Sequence, residues 1–368
     1  MSSRLAVRQI TFALAGWHTL LNPRRRPSTT PRRILVAQDL LLGDTLMLTP
    51  LLAKLRLRHP EAEIVMTTSR AMFPLYEKHP YGVIAAHYDE RDVSSLWRLH
   101  ETSGYDMAIV PAHNRHSWLA RALDARWIVA HAGDRPAYKN WPVDELIPYP
   151  DTPASLGDMF TTMIPGAPPP PYDSAQWPAP HAEPFTLPGQ PYCVLHVGAS
   201  NVIKLWAPER WLALADRLAE RGYQVVWSGG RGEQIHVDAI DPQHRYISYA
   251  GRLDLAQLWH LLDGASLLVC PDTGVAHLGR IVGTPTVTLF GPGSPLICGK
   301  GEFWKNARYE AVIIDDVACR DGSLLFNRQV AWAHFCSRNP QQCAKPVCME
   351  AIDLSAVWNA VMKVTATS

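Results

Sequence analysis

Two kinds of apolar pattern alternate along this chain. Contiguous runs of branched apolar residues suit strands buried on both faces of a parallel sheet. Between them, apolar residues recur every three or four positions, as on one face of a helix. Arg32 to Gln38 predicts a strand centred on Ile34, Leu35 and Val36. A helix from Asp44 to His59 follows, with Leu48, Leu51, Leu52 and Leu55 facing inward. Glu61 to Thr67 is the next strand, then a helix over Ser69 to Lys78, a strand over Val83 to His87 and a helix over Val93 to Ser103. Met107 to Val110 is a strand and Ser117 to Leu123 a helix.

The texture changes near Pro148, and a proline-rich stretch runs from Pro165 to Pro191. Pro168 to Pro171 are consecutive, and Pro178, Pro180, Pro184 and Pro188 follow. Such a stretch sustains neither helix nor central strand and predicts a semi-rigid linker. The alternation then resumes, with strands at Cys193 to Val197, Tyr223 to Ser228, Ser266 to Cys270 and Thr286 to Phe290. Helices are predicted over Pro208 to Glu220, Asp254 to Leu262, from Asp272 to Ile281, and over Leu354 to Lys363. Strands alternating with helices imply an α/β protein with parallel, doubly wound sheets. The expected division is an N-terminal segment at 1–30, a Rossmann-like domain at 31–164, a linker at 165–191, a second Rossmann-like domain at 192–350, and a final helix at 351–368 packing back on the first domain.

Composition narrows the function classes. With 368 residues and a net charge of +1, the chain has room for two domains and no charge excess that would call for nucleic acid. Seven cysteines scattered over this length do not make a secreted disulfide scaffold. Cys319, Cys336, Cys343 and Cys348 admit two readings, a four-thiolate metal site or reduced structural thiols; no C-x-x-C pair marks them. No apolar run is long enough to span a bilayer. Ile10, Ala13, Leu14, Trp17 and Leu21 share one helical face, and Arg24, Arg25 and Arg26 follow. This pattern suits an interfacial helix on an anionic membrane surface.

The strand ending at Cys270 runs into Pro271-Asp272-Thr273-Gly274, where capping residues open a helix with His277 in its first turn. A helix N-terminus at a sheet's carboxyl edge suits a phosphate. Singly, Asp272 and Thr273 read as caps and His277 as a core histidine. The string D-T-G-x-x-H followed by G-x-P-x-x-x-L-F-G-P is more specific. It resembles the nucleotide-binding signature of the family 9 glycosyltransferases, the bacterial heptosyltransferases of lipopolysaccharide core synthesis.

That resemblance implies two Rossmann-like domains facing across a cleft, the GT-B architecture, and an inverting, metal-independent transfer of a sugar, with ADP-heptose the implied donor. Asp272, Thr273, Gly274 and His277 would then hold the donor nucleotide. Leu42-Gly43-Asp44 with Thr49-Pro50 resembles the family's first motif, which makes Asp44 the general base and sets Gly43 against the donor; by itself Asp44 reads as a helix cap. Lys204 to Trp211 resembles the family's K-x-W-P-x-x-x-W, with Ala207 inserted, and gives Lys204 the diphosphate; by itself it is a surface lysine. Gly230 and Glu233, in the turn after the Tyr223 strand, are candidates for the ribose. His113, Arg115 and Arg121 form a basic cluster suited to an acidic acceptor such as lipopolysaccharide inner core. Gly293 and Ser294 depart from the Thr and acidic residue common after L-F-G-P, which leaves the sugar open. No cofactor, metal or nucleic-acid partner is expected. A cytoplasmic enzyme peripheral to the inner membrane is. A nucleotide-sugar 2-epimerase-like enzyme and a non-catalytic nucleotide-sugar-binding protein remain as alternatives.

Overall fold

The computed structural model describes residues 3–21, 26–315 and 317–366. Two six-stranded sheets form, each wholly parallel. The first contains β1 (Arg33–Val36), β2 (Glu63–Thr68), β3 (Val83–His87), β4 (Tyr105–Val110), β5 (Ala125–His131) and β6 (Glu145–Ile147), in the order β3-β2-β1-β4-β5-β6. The second contains β7 (Tyr192–His196), β8 (Gln224–Ser228), β9 (Ile247–Ser248), β10 (Leu267–Pro271), β11 (Thr286–Phe290) and β12 (Tyr309–Ile313), in the order β12-β11-β10-β7-β8-β9. Counted from its own first strand, each sheet has the same Rossmann order. The order reverses between β1 and β4 in one and between β7 and β10 in the other.

The apolar runs behave as central parallel strands should. Ile34, Leu35 and Val36 are fully buried, as are all residues of β7 and of β10. Register places Val269 beside both Leu195 and Val287. β5 and β6 extend the first sheet past the expected strands. β5 carries only the short apolar run Trp127 to Ala130, and β6 only Leu146 and Ile147.

The chain divides into two compact units: Met1–Pro170 with Gln176–Pro178 and Ser323–Ala333, and Pro171–Ala175 with Ala179–Gly322 and His334–Ser368. The proline-rich segment is thus shared between the units. Trp177 is buried in the first, its indole N–H donating to the Leu75 carbonyl at 3.0 Å, with its ring against Tyr76 and Tyr81. Tyr172 is held in the second by Ile281 and by the rings of Phe303 and Trp304. The last helix, Leu354–Thr365, belongs to the second unit and packs on its β11, β12 and Pro208–Glu220 helix.

Two helices differ from expectation. The stretch from Asp44 to His59 breaks into Leu42–Leu46 and Thr49–Arg58, because Pro50 opens a new helix and has no N–H to continue the old one. The N-terminal helix, Arg4–Leu21, packs on the His116–Ala122 helix of the first unit. Its inner face is Val7, Thr11 and Ala15, with small side chains that allow close approach, and Val7 joins the core with Leu35, Leu96 and Leu119. The Thr11 hydroxyl donates to the Val7 carbonyl at 2.8 Å, so burying it costs no hydrogen bond. Of the expected interfacial face, Ile10 and Leu14 are half-buried, while Ala13, Trp17 and Leu21 are exposed. Arg24 and Arg25 lie outside the described residues.

This packing gives a contrast that denaturant unfolding can read. Val7 is 1% exposed and Trp17 is 60% exposed. Val7→Asp puts an unpaired carboxylate in the core and is expected to destabilise by about 3–5 kcal/mol, whereas Trp17→Glu is expected to change stability by less than about 0.5 kcal/mol. Equal effects would show that the helix does not dock.

Buried neutral histidines add an acid sensitivity. Burial, then the Arg328 charge, lowers the His131 pKa to about 3, against a slight rise from the Ile147 carbonyl. Burial lowers His196 to about 4. The unfolded chain takes up protons at these positions below its ordinary pKa of about 6.5, and the folded chain does not. Stability is therefore expected to fall from about pH 6.5 downward, by up to about 1.4 kcal/mol per group per pH unit until each folded pKa is reached. Thermal unfolding between pH 7.5 and 5 checks the sign.

Candidate active site

In the second unit, the loops after β7 and β10 flank the point where strand order reverses, the position at which open α/β sheets bind ligands. The β7 loop carries Lys204 and the β10 loop carries Asp272, Thr273 and Gly274. The structure brings them together. Lys204 Nζ donates to the Asp272 carbonyl at 2.7 Å and to its carboxylate at 2.9 Å. Trp206 is wedged behind the loop, its indole N–H bonded to the Ile352 carbonyl at 2.8 Å and its ring against Trp211. The K-x-W segment thus fixes the lysine's backbone through two buried indoles. Pro208 starts the next helix, and the inserted Ala207 takes that helix's cap position.

The helix Gly274–Val282 starts without a side-chain cap. Thr273 occupies the cap position, but its hydroxyl is buried and has no hydrogen-bond partner among the described residues. The Asp272 carboxylate is engaged by Lys204 instead. A helix end with free N–H groups, an unpartnered hydroxyl and a lysine alongside is a set of donors converging on an anion. Gly293 closes the site from the second turn: a Cβ there would collide with the Asp272 carboxylate. Arg320 holds this turn by donating to the Gly291 carbonyl at 2.8 and 3.1 Å, a contact with no motif to announce it. His277 is buried in the helix's first turn. Burial, followed by the charges of Arg280 and Lys204, puts its pKa well below the ordinary 6.5.

Gly230 and Glu233 sit at the carboxyl end of neighbouring β8. The Glu233 carboxylate accepts a hydrogen bond from the Gly230 N–H and fills the space beside Gly198, where a Cβ would collide with it. The carboxylate therefore shapes the turn.

The first unit repeats the arrangement. Gly43 and Asp44 follow β1, and His113 and Arg115 follow β4. Asp44 lies inside the first turn of Leu42–Leu46 and is partly exposed; the cap position is Leu41, with no side-chain cap bond. Asp44 is not the cap of that helix. Between β1 and this helix, Asp39 is bonded by Arg115 and by His116 Nε2, the latter at 2.8 Å. Burial would raise the Asp39 pKa, but the hydrogen bond and charge of His116, together with Arg115, hold it well below the usual carboxylate range. His113 is lowered to about 4 by burial and by the charges of Arg115 and His116.

Beside these groups lies a cavity of about 450 Å³. Arg4 and Arg8 of the N-terminal helix line it, with His113, Arg115, Tyr138 and Lys139. Arg121 does not reach it. That side chain is 3% exposed and runs inward to Asp144 at 2.7 Å and to the Ala125 and Pro142 carbonyls. The guanidinium of this expected acceptor residue is thus committed to partners away from the cavity. Gly43 and Asp44 are also outside the cavity's lining.

One contributor was not foreseen. A hairpin of β13 (Leu324–Leu325) and β14 (Arg328–Gln329) belongs to the first unit. Phe326 and Asn327 both have positive φ, which gives the tight turn, and Asn327 reaches the cavity. Arg328, 2% exposed, pins the hairpin by donating to the carbonyls of Ala112, Ala132 and His131 and to the Asn114 side chain. The local sequence, Leu324-Leu325-Phe326-Asn327-Arg328-Gln329, has no alternation that would mark a hairpin.

Cys193, Cys270, Cys319, Cys336, Cys343 and Cys348 are free thiols. Among the described residues, no group of three or more His, Cys, Asp or Glu side chains is placed to hold a metal.

Comparison with known proteins agrees with this geometry. The model of glycosyltransferase family 9 (heptosyltransferase) matches residues 95–309. Lipopolysaccharide heptosyltransferase 1 of Pseudomonas aeruginosa is 36% identical over 114 residues, which span 30% of this chain and 32% of that protein. Lipopolysaccharide heptosyltransferase 3 of Escherichia coli K12 is 25% identical over 68% of this chain and 79% of its own length. In fold, the structure of E. coli ADP-heptose lipopolysaccharide heptosyltransferase II superposes with a TM-score of 0.65 at 17% identity, covering 91% of this chain and all of that one. The family match covers more than half of the sequence and includes the Lys204 loop, the Asp272–Gly274 helix start and the β11 turn: the chain belongs to glycosyltransferase family 9.

Proposed function

We propose that the protein transfers a sugar from a nucleoside-diphosphate donor, ADP-heptose by analogy with its relatives, to an acidic acceptor of the lipopolysaccharide core, with inversion. The observation that carries this reading is the uncapped Gly274 helix end with its buried, unpartnered Thr273 hydroxyl beside the Lys204–Asp272 pair. The diphosphate is the ligand whose charge and oxygens such an end accommodates. Lys204 has three donors and gives two to Asp272, so a third remains for a phosphate oxygen. Asp272 thereby acts as the lysine's holder. As the bond to the anomeric carbon breaks, charge builds on the leaving diphosphate. The lysine and the helix end offset it, in the role a divalent ion fills elsewhere.

The acceptor hydroxyl must lose a proton as it attacks the anomeric carbon from the side opposite the diphosphate. Asp44 takes that proton. The reading is supported by its position after β1 at the strand-order reversal and by its not being the helix cap. Arg4, Arg8, Arg115 and Lys139 around the neighbouring cavity suit an acceptor bearing carboxylates or phosphates.

Asp44→Asn is expected to lower the transfer rate about 10²–10⁴-fold while ADP affinity stays unchanged. Lys204→Met is expected to weaken ADP binding as well. Transfer by the unaltered protein should persist with a chelator present. Titration calorimetry with ADP and a single-turnover transfer assay on the same preparations separate these effects. A rate within a few-fold of the unaltered protein for Asp44→Asn would move the base elsewhere.

We further propose that the outer face of the N-terminal helix touches an anionic membrane surface. Leu20 and Leu21 are exposed, at 80% and 57%, at the end leading to the Arg24–Arg26 run. Among the described residues, no helix is long and apolar enough to cross a membrane. Replacing Leu20 and Leu21 together by Glu should reduce binding to anionic phospholipid vesicles at least about tenfold; undiminished binding would overturn this contact.

A further inference from the structure

One buried group near the donor site has no part in the mechanism above. Arg280 lies on the Gly274–Val282 helix one turn after His277 and is 2% exposed. Its guanidinium carbon stands 5.1 Å from the Trp304 ring centre and 5.0 Å from that of Tyr309. Its Nη2 donates to the Cys298 carbonyl at 3.1 Å and to His277 Nδ1. Its Nε and Nη1 have no hydrogen-bond partner among the described residues. The residue is not needed to end the helix, since Gly283, with φ 91°, does that.

We infer that Arg280 is a positioning residue that fixes His277 as the neutral imidazole with its proton on Nε2. The argument is one of donors and acceptors. A guanidinium has N–H groups and no acceptor, so a ring nitrogen bonded to it must be the acceptor. Nδ1 is therefore unprotonated, and the proton of the neutral ring resides on Nε2. Adding a proton to Nδ1 would set two N–H groups, and two positive charges, against each other in a buried site.

The groups around the pair act in the same direction. Lys204 bears on His277 from the β7 loop and disfavours a second proton. Burial disfavours the Arg280 charge, and the Asp272 carboxylate favours it. The two aromatic rings hold the guanidinium in place of water, so it keeps its charge without a carboxylate partner. What His277 offers a ligand is then a single N–H of fixed identity across the physiological pH range. On the donor-site reading given above, on which the functional half of this inference rests, that N–H is available to a diphosphate oxygen. Lys204 supplies the charge, and His277 supplies a neutral, directional donor that does not compete with it.

The test uses the full-length protein labelled with ¹⁵N-histidine, with His277 identified by the signals lost in His277→Gln. In the unaltered protein the His277 resonances should show a protonated Nε2 and a bare Nδ1 throughout pH 5–8. In Arg280→Met, which keeps an unbranched stem between Trp304 and Tyr309, the ring should populate the Nδ1–H form or titrate. ADP affinity relative to the unaltered protein should then fall about tenfold at pH 7.5, the size of one hydrogen bond to a charged group. That ratio should also become pH-dependent below about pH 6.5. A proton on Nδ1 in the unaltered protein, or a ring that titrates near 6.5, overturns the inference without recourse to any variant. An Arg280→Met protein that folds and keeps the same fixed Nε2–H ring overturns it too. A ring released as expected with ADP affinity unmoved upholds the Arg280–His277 link and removes His277 from the nucleotide site.

Discussion

A parallel strand cannot be joined to its neighbour by a tight turn; the chain has to cross back over the face of the sheet. Every loop leaving a strand's carboxyl end therefore opens on the same edge. Where successive crossovers go to opposite sides, two of these loops part and leave a crevice. Both sheets here follow the same order, so the constraint acts twice. It puts the Asp44 and His113 loops side by side in one unit, and the Lys204 and Asp272 loops side by side in the other. Residues that are 68 positions apart in sequence become an ion pair because of strand order alone.

What those loops carry is an imbalance of hydrogen-bonding groups. Folding ordinarily pairs buried polar atoms, and leaving one unpaired costs about 1–3 kcal/mol. Among the described residues the Gly274 helix end and the Thr273 hydroxyl keep such vacancies, while acidic side chains of the same unit are committed to specific partners, Asp272 to Lys204 and Glu233 to Gly230; in the first unit Asp39 is likewise committed to Arg115 and His116. The donors are left for a ligand, and the acceptors are occupied in shaping the loops.

The parts legible in the sequence were those governed by local rules. Apolar runs such as Ile34–Val36 and Leu267–Cys270 mark buried strands, Gly283 marks a helix limit, and the D-T-G-x-x-H string marks a specific helix start, whereas the periodicity reads as continuous helix through the break at Pro50. Legibility ends where the partner is distant in sequence. Amphipathicity of the first helix showed that one side would be covered but not which: the large residues Trp17 and Leu21 suggested one face, and close packing against the His116 helix selected the small residues Val7, Thr11 and Ala15. A cluster of basic residues after β4 likewise could not reveal that Arg115 turns to the cavity and Arg121 turns to Asp144. Tyr172 and Trp177 lay in a stretch whose prolines advertised only the absence of regular structure.

The hairpin pinned by Arg328 has a consequence for biosynthesis. Its receptor carbonyls, on Ala112, His131 and Ala132, are made early, and the side chain that satisfies them belongs to a segment nearly two hundred residues further on. At about 5–20 residues per second of translation, the nascent first unit waits roughly 10–40 s with these groups open before the missing piece leaves the ribosome. During that interval the whole second sheet is synthesised. Completion of the first unit therefore waits on synthesis of the second sheet, and a premature stop after β12 but before Arg328 would spare both six-stranded sheets yet leave the first unit unfinished.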